Sequence, residues 1–480
     1  MIRTERYSSS GARTILAVAV LLPNANPMAA EGQPDWIHFT DETATRLVAD
    51  PSVGIDDPFE KDIAVGDVDK DGDPDVIVVR KARFSTPGGQ PNVLFLNEGG
   101  TMVDRTADFI PQFNDATDDR DVVLVDVNDD RWLDIITATT FSEQPRIYMN
   151  LGNDEQGQWL GFQYNPDDNR LPTFSPAPKF CSVAAGDITG DRIPDLFFVD
   201  YDNTLEDRLL INDGNGFFTD ETAIRMTAET SNSSFGTAGE IVDINRDGFN
   251  DIIKCSTLDD NPNSVRILYN DGTGNFPTVQ HLSPTVPYMM LTGDFNNDFR
   301  PDVFVVTDAQ DVMLINRGND AEGHAIFEAI FVTDSPNTAG FGGNIRIVDM
   351  DDDGFNDVLV ADVDTDTPGC DRRMTILKHS GSAFILRLTD PLNGETRPWN
   401  TSGTFDVAVL DINGDGLPDI WSGTCEGNRI FINTPDGGED QIPTVSAWGA
   451  VTMTLLVLAA GSVVFRRAFS VPGTIIPRRT

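Results

Sequence analysis

Residues 67–75 read Asp-Val-Asp-Lys-Asp-Gly-Asp-Pro-Asp, a nine-residue frame with Asp at positions 1, 3, 5 and 9 and Gly at position 6. The frame returns at 126–134 (DVNDDRWLD), 187–195 (DITGDRIPD), 243–251 (DINRDGFND), 294–302 (DFNNDFRPD), 349–357 (DMDDDGFND) and 411–419 (DINGDGLPD). The seven copies begin 51 to 62 residues apart. A period of that size marks an array of supersecondary units stacked on one another. At 480 residues the chain is also longer than one ordinary core holds.

The flanks repeat as well. An apolar run precedes each frame (62–66, 182–186) and another follows it (76–79, 135–138, 196–199, 358–360). After a variable loop comes a third run, at 93–96, 146–149, 208–211, 266–269, 312–315, 375–377 and 429–432, often followed by Asn (Asn97, Asn150, Asn212, Asn270, Asn316, Asn433). A Gly-containing turn then leads to a fourth run. Short β-rich runs split by turn signals read as strands, and no stretch between them has helical period. Four strands in each of seven units predict an all-β, seven-bladed β-propeller.

The hexapeptide FTDETA explains how such a ring closes. It stands at 218–223, where it forms the fourth strand of the third unit, and again at 39–44, before any Asp frame; a looser copy, MVDRTA, lies at 102–107. The seventh unit stops after its third strand (429–433). The spare N-terminal strand, 37–43, is therefore expected to complete the last blade, leaving no open edge between first and last.

Charge excludes some partners. The chain has 34 Lys+Arg against 77 Asp+Glu, for a net −43. Nucleic acid and anionic membrane surfaces are not expected partners, since binding either needs clustered cations. Disorder does not fit, because 39% of residues are hydrophobic and fall in alternating runs.

The acids concentrate in the loops. Side-chain oxygens at positions 1, 3, 5 and 9 and the carbonyl at position 7 can form an oxygen cage, a donor set that suits Ca²⁺ rather than zinc or copper. The expected ligands are Asp67, Asp69, Asp71, Asp73 and Asp75; Asp126, Asn128, Asp130, Trp132 and Asp134; Asp187, Thr189, Asp191, Ile193 and Asp195; Asp243, Asn245, Asp247, Phe249 and Asp251; Asp294, Asn296, Asp298, Arg300 and Asp302; Asp349, Asp351, Asp353, Phe355 and Asp357; Asp411, Asn413, Asp415, Leu417 and Asp419. An EF-hand loop begins alike but ends in Glu at position 12 between helices. Up to seven structural Ca²⁺ are expected, with folding coupled to the metal. Gly72, Gly248, Gly354 and Gly416 supply the sharp turn at position 6, where Arg131, Arg192 and Phe299 stand in the other units. Tighter sites are expected in units one, four, six and seven.

Through these loops the chain resembles the FG-GAP/VCBS repeat proteins, the group that includes the integrin α-subunit propeller. Gly-Asp entries at 66–67, 186–187 and 293–294 and Phe-Gly pairs at 235–236 and 341–342 support the resemblance, which covers residues 36–433. It implies the propeller and its Ca²⁺, and roles in adhesion and extracellular binding, with enzyme activity in some members. Thr189 departs from the pattern.

The ends suggest export. Residues 1–30 carry Arg3, Arg6 and Arg13, an apolar run at 14–22 and small residues at 29–30, the layout of a signal peptide. After a linker at 434–441, residues 442–449 read IPTVSAWG, then 450–465 are uncharged, then come Arg466 and Arg467. With 448–449 the apolar stretch spans about 27 Å as a helix, enough to cross a bilayer. Trp448 and the Arg pair fit its two interfaces, with the C-terminus cytoplasmic. Residues 442–467 resemble the IPTL-type sorting signals of bacterial surface proteins, which implies exosortase-like sorting machinery as a partner; a basic tail, 468–480, follows. A membrane-anchored protein of the bacterial surface or envelope is the expectation.

Four cysteines in an exported chain allow three pairings. Strand order puts all four away from the Asp loops and predicts Cys181–Cys255 and Cys370–Cys425, the alternative being buried free thiols. The same face carries long loops, where binding usually resides, with Trp399, Arg372, Arg373 and Phe174 as contact candidates. No catalytic constellation emerges: His38, His281, His324 and His379 are scattered, and no nucleophile elbow, P-loop or dinucleotide fingerprint occurs. A non-enzymatic surface module binding glycan or protein is the leading reading. An extracellular polysaccharide lyase or hydrolase using the loop face, or a structural envelope or matrix component, are the alternatives.

Overall fold

In the structure, a computed structural model, residues 37–434 are described apart from 84–85, 142, 257–263, 283–285, 308–309, 333–342, 362–373, 380–383 and 390–402. Seven sheets follow one another along the chain. Their inner strands are Glu60–Gly66, Asp119–Val125, Phe180–Gly186, Gly236–Val242, Pro287–Gly293, Ile345–Val348 and Thr404–Leu410. Each inner strand lies beside that of the next sheet, and Thr404–Leu410 lies beside Glu60–Gly66, so the ring closes. The fold is a seven-bladed β-propeller, with the four main strands of each blade antiparallel.

The apolar runs explain the packing. Along Asp75–Lys81, Val76 and Val78 point to the blade 7 side, while Ile77 and Val79 point to blade 2. Side chains alternate across a strand, so a strand with both faces covered must be apolar at every position. Seven buried clusters result, each shared by two neighbouring blades. Among the described residues the buried side chains form no single core, and stability is a sum over the interfaces between blades.

The N-terminal strand His38–Asp41 pairs antiparallel with Gly427–Thr434, with Phe39 opposite Asn433 and Asp41 opposite Phe431. Ile37 and Phe39 are buried in the cluster between blades 6 and 7. The strand closes the last blade, as the repeated hexapeptide predicts. Each FTDETA copy ends differently from expectation, in one helical turn: Thr43–Arg46 and Thr222–Arg225, with Thr106–Phe109 in the looser copy. Asp41, Asp104 and Asp220 start those turns by accepting the N–H of the Thr two residues on, each at 3.0 Å. Four-residue turns are too short to show a helical period. Blade 1 also has a fifth strand, Leu47–Val48, parallel to Met102–Asp104.

Among the described residues no helix is long and apolar enough to cross a membrane. The expected span at 450–465, the sorting signal and the leader at 1–30 lie outside the described residues.

Candidate metal-binding loops and the axial cavity

Each Asp frame joins an inner strand to the second strand of its blade, bounded by pairs such as Gly66 with Asp75 and Gly186 with Asp195. All seven loops close in the same way. The position 5 carboxylate accepts the position 7 N–H at 2.8–3.0 Å. In six loops the position 1 carboxylate also accepts the N–H groups of positions 5 and 6. Position 6 has positive φ throughout, at Gly72, Gly248, Gly354 and Gly416 but also at Arg131 (72°), Arg192 (72°) and Phe299 (63°). The turn is therefore fixed by the repeat, and non-Gly residues there are strained. Position 4 is left-handed too, at Lys70, Asp129, Gly190, Arg246, Asn297, Asp352 and Gly414, which the sequence pattern did not announce.

The position 9 Asp is buried in every loop. One oxygen accepts the N–H that ends the third strand, at 2.7–2.9 Å. In six loops the other accepts the position 2 N–H at 2.9–3.1 Å. It clamps the loop to its own blade. The Asn that ends the third strand carries the clamp to the previous blade. Its Nδ2 donates to the position 2 carbonyl there: Asn97 to Ile412, Asn150 to Val68, Asn212 to Val127, Asn270 to Ile188, Asn316 to Ile244 and Asn433 to Met350. In blade 6, His379 stands at this place and turns its ring toward Phe295. The sequence showed these Asn residues without showing their use.

Burial, helped by the other loop carboxylates, pushes Asp75 up to about 8, Asp134, Asp251 and Asp357 up to about 7, and Asp195, Asp302 and Asp419 up to about 6. A cation in the loop would return them to the charged form. Several buried oxygens lack a hydrogen-bond donor: Asp67 Oδ1, Thr189 Oγ1 and Asp351 Oδ1. Orphaned acceptors beside carboxylates are what a bound hard cation would satisfy, so the residues present fit such an ion. Among the described residues, carboxylate triads with oxygens within 4.8 Å of one another occur in two loops, at Asp67, Asp69 and Asp71 and at Asp349, Asp351 and Asp353. Two loops carry their own cation: Arg300 reaches Asp298, and Lys378 reaches Asp351 and Asp353.

A second site lies on the axis. The early parts of the inner strands line a cavity of about 530 Å³. Inner strands are sheet edges, so their N–H groups need partners. Carboxylates of the preceding blade supply them. Asp406 accepts from Ile63 N–H (2.8 Å), Asp62 from Val122 (3.1 Å), Asp121 from Val183 (2.7 Å) and Glu240 from Thr292 (3.1 Å). Arg346 Nη2 binds Asp406 at 2.9 Å, and Asn344 Nδ2 binds Asp62 at 2.5 Å. Burial pushes Asp62 up to about 7, with Asp406 adding to it, and Asp121 up to about 8, with Asp62 adding to it; burial takes Glu240 up to about 7.

Two expectations are corrected. Cys181 and Cys255 are not bonded to each other; both are buried thiols. Cys181 lines the axial cavity, whereas Cys255 packs into the cluster that blade 4 shares with blade 5, facing away from blade 3. Neighbouring blades do not imply neighbouring faces. Cys425, in the turn between the second and third strands of blade 7, is disulfide-bonded, and its expected partner Cys370 lies outside the described residues. Phe174 is not a surface contact, because it is buried edge-on against Phe180. Trp399, Arg372 and Arg373 lie outside the described residues.

Three segments, 67–137, 187–254 and 243–305, match the FG-GAP-like repeat family. No curated protein matches the chain significantly. Among solved structures, one similar chain is an Agrocybe aegerita lectin described as recognising non-reducing terminal N-acetylglucosamine. It is 16% identical with a TM-score of 0.47, over 69% of this chain and 80% of that one. Another is BBS1N from a complex with ARL6DN, 9% identical with a TM-score of 0.44, over 84% of this chain and 98% of that one. The chain thus carries FG-GAP-like repeats within a seven-bladed β-propeller whose last blade is closed by the N-terminal strand.

Proposed function

We propose that this chain is an exported, calcium-stabilised propeller that serves as a non-enzymatic binding module for a glycan or protein ligand. The observation that carries the calcium reading is the pair of buried, donor-free oxygens in the Asp loops, Asp67 Oδ1 and Thr189 Oγ1. In this reading a loop that takes an ion holds it with the side chains at positions 1, 3, 5 and 9, and the ion neutralises acids that the blades bury together. The metal is structural. Its loops are also tied into the blade-to-blade clamps, which leaves the other end of the ring, with its long connections and the axial cavity, for ligand. Export is supported by the bonded Cys425, since disulfides persist in oxidising compartments. Residues 1–30 then act as leader, and 442–467 as sorting signal and anchor.

The test is a calcium count and paired thermal melts of the purified protein, with Ca²⁺ and with EDTA, followed by glycan-array and envelope-protein binding in Ca²⁺. Several bound ions, a large loss of melting temperature on chelation and saturable binding are expected. A melt unmoved by EDTA with no bound metal would sink the calcium reading. Turnover of a polysaccharide would replace the binding module by an enzyme.

A further inference from the structure

We infer that the Asp loop of blade 6 is held by a lysine in place of a metal ion: Lys378 is the built-in counter-ion of Asp351 and Asp353. This rests on the reading of the other loops as calcium sites. Lys378 Nζ contacts Asp351 Oδ2 and lies 3.0 Å from Asp353 Oδ2, and its side chain is only 16% exposed. Those two carboxylates are positions 3 and 5 of the frame, two of the expected ligands. An ammonium seated between them supplies the charge that a divalent ion would supply and obstructs its approach.

The sequence context makes Lys378 an exception within its own ring. It stands one residue before the end of the third strand. The corresponding residues elsewhere are Leu96, Met149, Ile211, Tyr269, Ile315 and Ile432, five apolar and one aromatic, none of them charged. Five of them are buried in the clusters between blades, and Ile211 packs against its cluster. One lysine thus replaces an apolar contact with an ion pair in the loop. Blade 6 also has His379 where six blades have Asn. The carboxylates themselves remain well placed for an ion: oxygens of Asp349, Asp351 and Asp353 lie within 4.8 Å of one another, and Asp351 Oδ1 has no donor. The loop of blade 1 has the same triad at Asp67, Asp69 and Asp71, while its corresponding third-strand residue is Leu96. Identical acids should therefore give opposite metal occupancy.

The experiment counts bound Ca²⁺ by native mass spectrometry of the full chain, with wild type beside D71N, D353N and K378M. Position 5 is Asp in all seven loops, whereas position 3 is Asn in four of them, so position 5 is the ligand whose loss should empty a loop. Met is apolar, so K378M should fold. D71N is expected to lose one ion, D353N none, and K378M to gain one; in EDTA, K378M should melt below wild type. Loss of an ion in D353N, or no gain in K378M, overturns the inference. Failure of the calcium reading is recognised separately, by a wild-type protein without bound ions and a D71N variant that loses none.

Discussion

The two copies of FTDETA make the same contacts from opposite ends of the connectivity. At 218–223 the segment follows its neighbouring strand directly, through the turn at 213–217. At 39–44 it pairs with a strand almost four hundred residues away. Yet Thr222 Oγ1 accepts the Leu209 N–H at 2.9 Å, and Thr43 Oγ1 accepts the Ile430 N–H at 2.9 Å. Arg225 pairs with Glu221 and donates to the carbonyls of Thr273 and Gly274 in the next blade. Arg46 pairs with Glu42 and donates to the carbonyl of Gly100, also in the next blade. Blade geometry therefore dictates the contacts, and chain order does not. What differs is entropy: the closing strand is held only by its contacts, with a very long loop behind it.

The largest effect should come from removing that strand. A chain beginning at residue 49 loses the pairing with Gly427–Thr434 and exposes the blade 6–7 cluster to water. Burying Ile37 and Phe39 alone contributes roughly 1.5–3 kcal/mol each, so several kcal/mol should vanish in urea denaturation. A peptide covering 37–48 added in trans should restore part of it. A truncated chain as stable as the intact one would mean the closure is ornamental.

A single-residue comparison is sharper. Thr43→Ala and Thr222→Ala each leave one buried strand N–H without its acceptor, and each should cost about 1–3 kcal/mol. Equal costs would show that both copies are equally seated. A Thr43→Ala cost near zero beside a full Thr222→Ala cost would show the closing strand frayed, and hydrogen exchange at Ile430 and Leu209 would locate the difference.

Much of this was legible in the sequence because a repeat reports the same physics seven times. The frame at 67–75 set the blade count, and the duplicated hexapeptide with a vacancy at 434 set the closure. The rest depends on which face of a strand meets which neighbour. Cys181 and Cys255 sit in adjacent blades, but one looks into the axis and the other toward blade 5. Asp62, Asp121 and Asp406 looked like three acids among 77, and only the ring places them side by side. Lys378 was unreadable as a loop partner, since it lies 27 residues beyond Asp351.

That axial trio separates the run of seams from blade 7 round to blade 3 from the seam between blades 4 and 5 through pH. Asp406, Asp62 and Asp121 bridge blades 7, 1, 2 and 3, whereas between blades 4 and 5 the axial carboxylate is Glu240. Arg346 faces Asp406 and Asp62, and Glu60, Lys81 and Arg120 lie nearby. The folded-state values of Asp62 (about 7) and Asp121 (about 8) lie above the unfolded value of about 4. Between those limits the native state holds protons that the unfolded state has lost. Their contribution is thus full below about pH 4, falls as pH rises, and levels off above about pH 8. Urea midpoints should decline from pH 5 to pH 8 at fixed Ca²⁺. D62N together with D121N should flatten the decline more than E240Q does; equal flattening would mean that the seams from blade 1 to blade 3 titrate no differently from the one between blades 4 and 5.

The smallest effect concerns position 6 of the loops, where local geometry again overrides the residue supplied. Phe299, at φ 63° and 80% exposed, holds a left-handed conformation that Gly72, Gly248, Gly354 and Gly416 hold without strain. Its side chain gives little burial to offset that strain. Phe299→Gly should therefore stabilise the protein by up to about 1 kcal/mol, less the extra freedom Gly gains in the unfolded chain. The reverse change, Gly416→Phe, should destabilise by a similar amount, because an added Cβ there meets nothing within 4 Å and only the backbone resists. If both substitutions left the urea midpoint unchanged, the loop backbone would not be fixed by the repeat. The shared contacts of the two hexapeptide copies would then need an explanation other than blade geometry.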